Sequence, residues 1–433
     1  MKGDGGEVTG SRLRRDLGLL DAVGIGFGAI VGAGIFVVTG VAAGIAGPSF
    51  LLGLFVAGIA ATANALSSAQ LAAEYPHSGG TYEYGYRVLH PWAGFVAGWM
   101  FLASKIAAAG TVALGLAGYL DGLLPGLNPR IIAVSAVLLF TMLNWFGVRR
   151  SSRANLFIVL ISLGTLIVFA IATFGSFSAD NLRPFAPAGW RGVLQSSAIL
   201  FFAYTGYARI ATLGEEVREP RVTIPRAVLI TVGGAIVLYF AVSLAAVGAA
   251  GADALADTAA PLRIAAQRSG HDWLAIVISI GGLTAMLGVI LSQVLGLSRM
   301  VFAMARRKDL PAGLDHVHAR HGTPDRAVLL VGASAAIVAA TGTLAGIAAA
   351  ASFTILVYYG IANVAALRMP RSGKLYPDAV PIVGAVACAA LAVSLPARTM
   401  VSGVIVLLVG VALRLASRGL RPQARGPGTT FPE

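Results

Sequence analysis

Gly24-Ile25-Gly26-Phe27-Gly28-Ala29-Ile30-Val31-Gly32-Ala33-Gly34-Ile35-Phe36 lies inside an apolar run that starts at Leu17 and continues to Ala43. A second stretch of the same kind reads Phe201-Phe202-Ala203-Tyr204-Thr205-Gly206-Tyr207. In hydrocarbon every backbone N–H and C=O must be satisfied internally, so glycine-weakened turns at membrane depth are tolerated only where the freed groups face protein or a polar cavity. A helix interrupted mid-span presents a half-helix N-terminus, equivalent to roughly +0.5 charge, and an opposing C-terminus with bare carbonyls. Such a pair of ends suits a zwitterion, which makes both stretches candidate binding sites.

Composition sets the class. The 433 residues are 57% hydrophobic and 12% charged, with a mean hydropathy of +0.80. That leaves too little polar surface for a water-soluble globule and indicates an all-α integral membrane protein. The net charge of +13 is read as basic cytoplasmic loops and not as a nucleic-acid surface. The single cysteine, Cys388, excludes an intrachain disulfide. The first apolar run follows Arg12, Arg14 and Arg15 but is too long for a signal peptide and lacks its small-residue cleavage site, so it is expected to persist as a span.

Twelve spans are expected, at Leu17 to Ala43, Pro48 to Ala73, Trp92 to Tyr119, Ile131 to Phe146, Asn155 to Phe174 and Val193 to Val217, then Ala227 to Ala249, Trp273 to Met304, Ala327 to Thr341, Leu344 to Leu367, Val380 to Leu395 and Met400 to Leu415. The ninth, eleventh and twelfth are short of the roughly 20 residues a bilayer demands. With a cytoplasmic N-terminus, 24 of the 32 Lys and Arg fall on the inner side and 6 on the outer, Lys105 and Arg209 lying inside spans. Both termini are therefore expected in the cytoplasm of a cell-membrane protein. The interrupted helices are the first and sixth spans, and the two longest are the third and eighth. A separation of five, being odd, implies inverted copies. The organisation expected is a cytoplasmic segment at 1–16, a first repeat at 17–174, a second at 193–367, two accessory spans at 380–415 and a basic tail at 416–433.

The motifs Leu17-Gly18-Leu19-Leu20-Asp21-Ala22-Val23, Gly32-Ala33-Gly34-Ile35-Phe36 and Glu74-Tyr75-Pro76-His77-Ser78-Gly79-Gly80-Thr81-Tyr82 carry a family resemblance. So do Asn144-Trp145-Phe146-Gly147-Val148-Arg149, Gly214-Glu215-Glu216-Val217-Arg218-Glu219-Pro220 and Ser298-Arg299-Met300-Val301-Phe302-Ala303-Met304-Ala305-Arg306. Together they resemble the amino acid-polyamine-organocation superfamily of permeases, over Leu17 to Leu367. The resemblance implies a five-plus-five inverted-repeat core, an amino acid or related amine as substrate, and alternating access. It also implies that backbone N–H groups of Gly32, Ala33 and Gly34 hold the substrate carboxylate. The carbonyls of Ile30, Phe202, Ala203 and Thr205 would then receive its ammonium. Tyr204 and Tyr207 are either site aromatics or packing aromatics, and Phe201 or Phe202 is a candidate lid.

Gly24 to Ala29 also fits the dinucleotide pattern G-x-G-x-x-A, but no strand precedes it and no acidic residue stands near Gly44 to hold a ribose. Packing explains Gly24 and Gly28 better, since with Gly32 they form a small-residue stripe at four-residue spacing. Gly34, two residues after Gly32, breaks that spacing.

Lys105 stands roughly 20 Å into the third span at about 1.5 Å per residue. A lysine at that depth costs about 2.5–3.5 kcal/mol on insertion scales. The resemblance implies a lysine in the fifth span, where Ser162 stands here, so Lys105 is read as its replacement beside the first and eighth spans; the alternative is a lysine bonded to carbonyls for packing. Arg209 either snorkels to the cytoplasmic face or forms an inner gate. No carboxylate sits mid-span, and Gln70 stands where the family often has Glu, so an acidic proton relay has no candidate. Ser279 and Thr284 are candidate sodium ligands, although hydroxyls are common in membrane helix contacts. Proton and sodium both remain open as coupling ion. His316, His318 and His321 lack the further ligands of a metal site, and no cofactor is expected. The arginines from Arg414 to Arg425 are expected on anionic lipid headgroups.

The spans hold no cluster of His, Asp, Glu or Cys for an embedded enzyme, and paired interruptions, not a continuous polar stripe, argue against a channel. The expected function is secondary transport of a neutral amino acid, because the fixed cations Lys105 and Arg209 disfavour a cationic side chain. The alternative is a cationic amino acid or polyamine exchanger.

Overall fold

The computed structural model describes residues 16–75, 79–147, 152–211, 216–256 and 258–419. The helices are α1 (Leu19–Ile30), α2 (Thr39–Ala46), α3 (Phe50–Glu74), α4 (Thr81–Tyr84), α5 (Pro91–Asp121) and α6 (Pro129–Trp145). They continue with α7 (Ser152–Thr173), α8 (Gly189–Tyr204), α9 (Ala208–Ala211), α10 (Pro220–Ala250), α11 (Ala252–Ala256) and α12 (Pro261–Arg268). The last are α13 (Asp272–Arg306), α14 (Asp325–Thr341), α15 (Leu344–Arg368), α16 (Ala379–Ser394) and α17 (Ala397–Gly419). Among the described residues, seven helical stretches are long and apolar enough to cross a membrane, the first running Leu19–Glu74 through α1, α2 and α3. Proline opens α5, α6 and α10, where its missing N–H is an orphan anyway. The Asn128 and Thr343 side chains cap α6 and α15.

Over their described residues the apolar runs read as spans are helical apart from the two interruptions, with shifted edges. The last is longer than Met400 to Leu415: α17 has 23 residues, its first turn anchored by the Thr399 and Met400 N–H groups on the Pro396 carbonyl. The length argument for the repeat weakens, because α10, in the seventh run, has 31 residues, as many as α5; α13 has 35.

The two interruptions differ in kind. After α1, Val31 is extended at φ −76° and ψ 111°, and the chain re-enters helix through a wide π turn, Gly34–Val38, before α2. α8 instead tightens into a 3₁₀ turn, Thr205–Tyr207, and runs on into α9. The cause is local: the Thr205 hydroxyl donates to the Phe202 carbonyl at 2.9 Å, beside the Thr205 N–H on the same acceptor.

Small residues set the helix contacts. Gly26, not Gly24, is the tight position on α1, where a Cβ would come 2.6 Å from Ile210 and 2.7 Å from Thr231. Gly28 faces Val159 and Asn155 of α7, while at Gly24 a Cβ would meet nothing within 4 Å. Packing therefore accounts for Gly28 but not Gly24. Buried Asn64, Asn363 and Cys388 join α3, α15 and α16: Asn363 donates to Asn64 at 2.5 Å and Asn64 to the Cys388 sulfur at 3.3 Å. Gln70 uses its side-chain oxygen to accept from the N–H groups of Leu375 and Tyr376, both at 3.3 Å, and so holds the segment before α16.

Arg414 corrects one expectation. It is fully buried and does not lie on lipid headgroups. Its Nε stands 3.0 Å from Asp309, itself fully buried after α13. The guanidinium also donates to the Tyr86 hydroxyl at 2.8 Å and stacks over Trp92 at 4.3 Å. Arg418 reaches the same carboxylate at 3.4 Å, and Tyr82 and Tyr86 donate to it at 2.8 and 2.5 Å. Three hydrogen-bond donors, Tyr82, Tyr86 and Arg418, and the Arg414 ion pair together offset the cost of burying this carboxylate. Arg421 and Arg425 lie outside the described residues. Beside this cluster, Glu83 is clasped by Arg87 at 2.6 Å and Arg307 at 2.7 Å. Burial opposes its ionisation, but the two guanidinium groups outweigh it and hold the carboxyl below its usual range.

Candidate functional site

The interruptions meet backbone to backbone. A Cβ on Gly34 would lie 2.5 Å from the Ala203 Cα, and one on Gly206 would lie 2.3 Å from the Ala29 carbonyl carbon and oxygen and 2.4 Å from the Ile30 nitrogen. No rotamer change relieves a clash with main chain, so glycine is required at both positions. Ile30, Gly32, Ala33, Gly34, Phe202, Ala203, Tyr204 and Thr205 are all buried around this crossing. Restarting the helix after Val31 also places first-turn N–H groups there, which by geometry have no acceptor within their own segment.

Tyrosine hydroxyls cover the freed carbonyls. Tyr239 of α10 donates to the Ile30 carbonyl at 2.8 Å and stands 3.4 Å from that of Ala203. Tyr359 of α15 donates to the Thr205 carbonyl at 3.2 Å, and Tyr119 of α5 to the Phe36 carbonyl at 2.8 Å. The Tyr204 hydroxyl turns away to Leu54 at 3.4 Å. Tyr239, Tyr359 and Tyr119 were not singled out in the sequence. Their signal was available, since a phenol within an apolar run must find an acceptor when buried.

The Lys105 amine donates to the Thr205 hydroxyl at 3.3 Å and lies 5.8 Å from the centre of the Phe101 ring. It therefore stands at the turn between α8 and α9. Ser162 is buried on α7, its hydroxyl bonded to the Ile158 carbonyl one turn back at 2.8 Å. Ser279 and Thr284 likewise bond back along α13, to Ala275 and Ile280, both at 2.6 Å. Arg209 is exposed on α9, beside Gly296 of α13, with Arg299 and Glu216 as charged neighbours. One turn after Val289, which lies against Gly32, the Gln293 side-chain oxygen is buried without a donor among the described residues. His316 pairs with Asp325 at 2.8 Å while the His318 and His321 rings pack on Trp145.

Two interrupted helices crossing backbone to backbone inside a multi-pass helical membrane protein, with freed carbonyls at the crossing, fit a solute transporter. The chain belongs to the amino acid permease family, whose model matches residues 17–416, within the amino acid-polyamine-organocation superfamily. It is 43% identical over 415 residues to an uncharacterized transporter of Mycobacterium tuberculosis, covering 95% of this chain and 93% of the relative. A methylthioribose transporter of Bacillus subtilis is 32% identical over 428 residues, 92% of each chain. The branched-chain amino acid permease BcaP of Bacillus subtilis is 29% identical over 429 residues, 93% of this chain and 92% of that one.

Proposed function

We propose that the chain is a twelve-span secondary transporter with a five-plus-five inverted-repeat core and two accessory spans, moving a neutral amino acid across the cell membrane by alternating access. Both termini lie in the cytoplasm. The first-turn N–H groups of Gly32, Ala33 and Gly34 take the carboxylate, and the carbonyls of Ile30, Phe202, Ala203 and Thr205 take the ammonium. The observation that carries this reading is the crossing itself, at which Gly34 meets Ala203 and Gly206 meets Ala29 and Ile30. Substrate entry requires the crossing to part, since its residues are buried. Segments 30–38 and 201–207 contain no acidic side chain and Lys105 stands at Thr205, so a cationic side chain would face fixed positive charge. The branched-chain permease among the relatives points the same way.

The test is uptake of a labelled amino acid panel into proteoliposomes under imposed pH or sodium gradients. Neutral aliphatic amino acids are expected to accumulate and to compete with one another. Uptake confined to arginine, lysine or polyamines would replace this reading with the cationic exchanger, and flat accumulation under both gradients would mean facilitated exchange.

Two substitutions probe the site. In Tyr239→Phe the Ile30 and Ala203 carbonyls lose their donor only while no substrate ammonium is present. An unsatisfied buried acceptor costs about 1–3 kcal/mol, so KM is expected to fall at least about fivefold while release, and with it kcat, slows. A raised KM would show that the hydroxyl helps to hold substrate. Lys105→Met removes the amine at the crossing and is expected to slow uptake and to flatten its pH dependence, because a proton-exchanging group is lost. Wild-type rate and pH profile in this variant would leave Lys105 a packing residue.

A further inference from the structure

A cleft of about 930 Å³ lies away from the crossing, between α5, α13, α14, α15 and the last helix, α17. Its volume is within the range of a ligand pocket, and it runs along α17 from Arg398 to Leu413, about 22 Å at 1.5 Å per residue. Half of a roughly 30 Å hydrocarbon core is shorter than that, so a chain entering from one leaflet fits its whole length. The walls are apolar side chains such as Trp99, Val338 and Ala350. α17 is fastened across the cleft at mid-height, where the Trp99 indole N–H donates to the Val406 carbonyl at 2.7 Å.

The two ends differ. At one, Arg398 is exposed and has no hydrogen-bond or ion-pair partner among the described residues, with Thr343 and Ser402 nearby on the lining. At the other stand Leu310, Pro311, Leu314 and Leu413, and the neighbouring Arg414 and Arg418 are engaged by Asp309. Among the described lining residues Arg398 alone is charged, and a cation at one end of an apolar slot one acyl chain long is the complement of an anionic amphiphile.

We propose that this cleft binds one anionic phospholipid, an acyl chain lying along α17 and the phosphate seated at Arg398. The test is native mass spectrometry of the delipidated full-length chain titrated with phosphatidylglycerol or phosphatidylcholine of identical acyl chains. Phosphatidylglycerol is expected to bind about fivefold more tightly, the scale of one arginine against one anionic headgroup. Arg398→Gln, at an exposed position, is expected to abolish that preference, and Ala350→Phe, which fills the slot, to weaken both lipids alike. An unchanged preference in Arg398→Gln, or unchanged binding in Ala350→Phe, would overturn the proposal. So would a dimer whose dissociation, and not the headgroup, governs lipid uptake. The readout is lipid binding, so it stands whether or not the transport reading does.

Discussion

Gly206→Ala is expected to reduce uptake by about a hundredfold while leaving a folded, membrane-inserted protein. The added methyl would lie 2.3–2.4 Å from the backbone of Ala29 and Ile30, atoms that have no rotamer to change. Overpacking of this kind costs about 1–3 kcal/mol when the surroundings yield. Here yielding means pushing the end of α1 away from the turn after α8, and a shift of about 1 Å in a binding constellation is enough to cost about 10²-fold. The check is initial uptake per reconstituted molecule, with circular dichroism to establish that helix content is unchanged. Gly24→Ala is the control: it raises helix propensity in the same helix, but its Cβ meets nothing within 4 Å, so uptake should stay at the wild-type rate. Full activity in Gly206→Ala would mean that the contact between the interruptions is not where substrate is held.

Arg414→Met is expected to give the largest loss of stability, about 3–5 kcal/mol, as found when one member of a buried ion pair is removed. Asp309 and Arg414 are both fully buried and 3.0 Å apart. Met preserves much of the apolar contact with Trp92 and Phe95, so the loss reports the charge. Tyr82, Tyr86 and Arg418 remain on the carboxylate, which places the effect toward the lower end of that range. Thermal unfolding in detergent measures it, and the double variant Asp309→Asn with Arg414→Met should recover at least half. Additive losses would show that the two side chains act separately.

The helical membrane class was legible because composition alone excludes a soluble chain, and the first interruption because Gly34 breaks the packing stripe of Gly24, Gly28 and Gly32. The second interruption was legible as a place but not as a shape: the Thr205 hydroxyl turns back on Phe202 and tightens the helix where the sequence implied a gap. Lys105 announced itself as a charge inside a span, yet its neighbour Thr205 belongs to a helix a hundred residues further along. Tyr239 and Tyr359 escaped notice since a tyrosine in an apolar run looks like filler until the carbonyl it serves is seen. Arg414 was misread for a related reason. A guanidinium near the end of a final span is ordinarily lipid-facing, and nothing local to it points to Asp309. Packing glycines show the same limit, because four-residue spacing singles out Gly24 and only the neighbours of α1 show that Gly26 is the tight position.

Leu17 and Val217 form an isolated parallel bridge, with the Leu17 N–H on the Glu216 carbonyl at 3.1 Å and the Arg218 N–H on the Leu17 carbonyl at 3.0 Å. The entry to α1 is thus leashed to the strip of chain leading into α10. In the proposed alternating-access cycle, a swing at this end must either carry both segments as a single flap or snap two main-chain links at the outset. The threshold for opening at this end is therefore set partly by a knot of backbone that never touches the cargo.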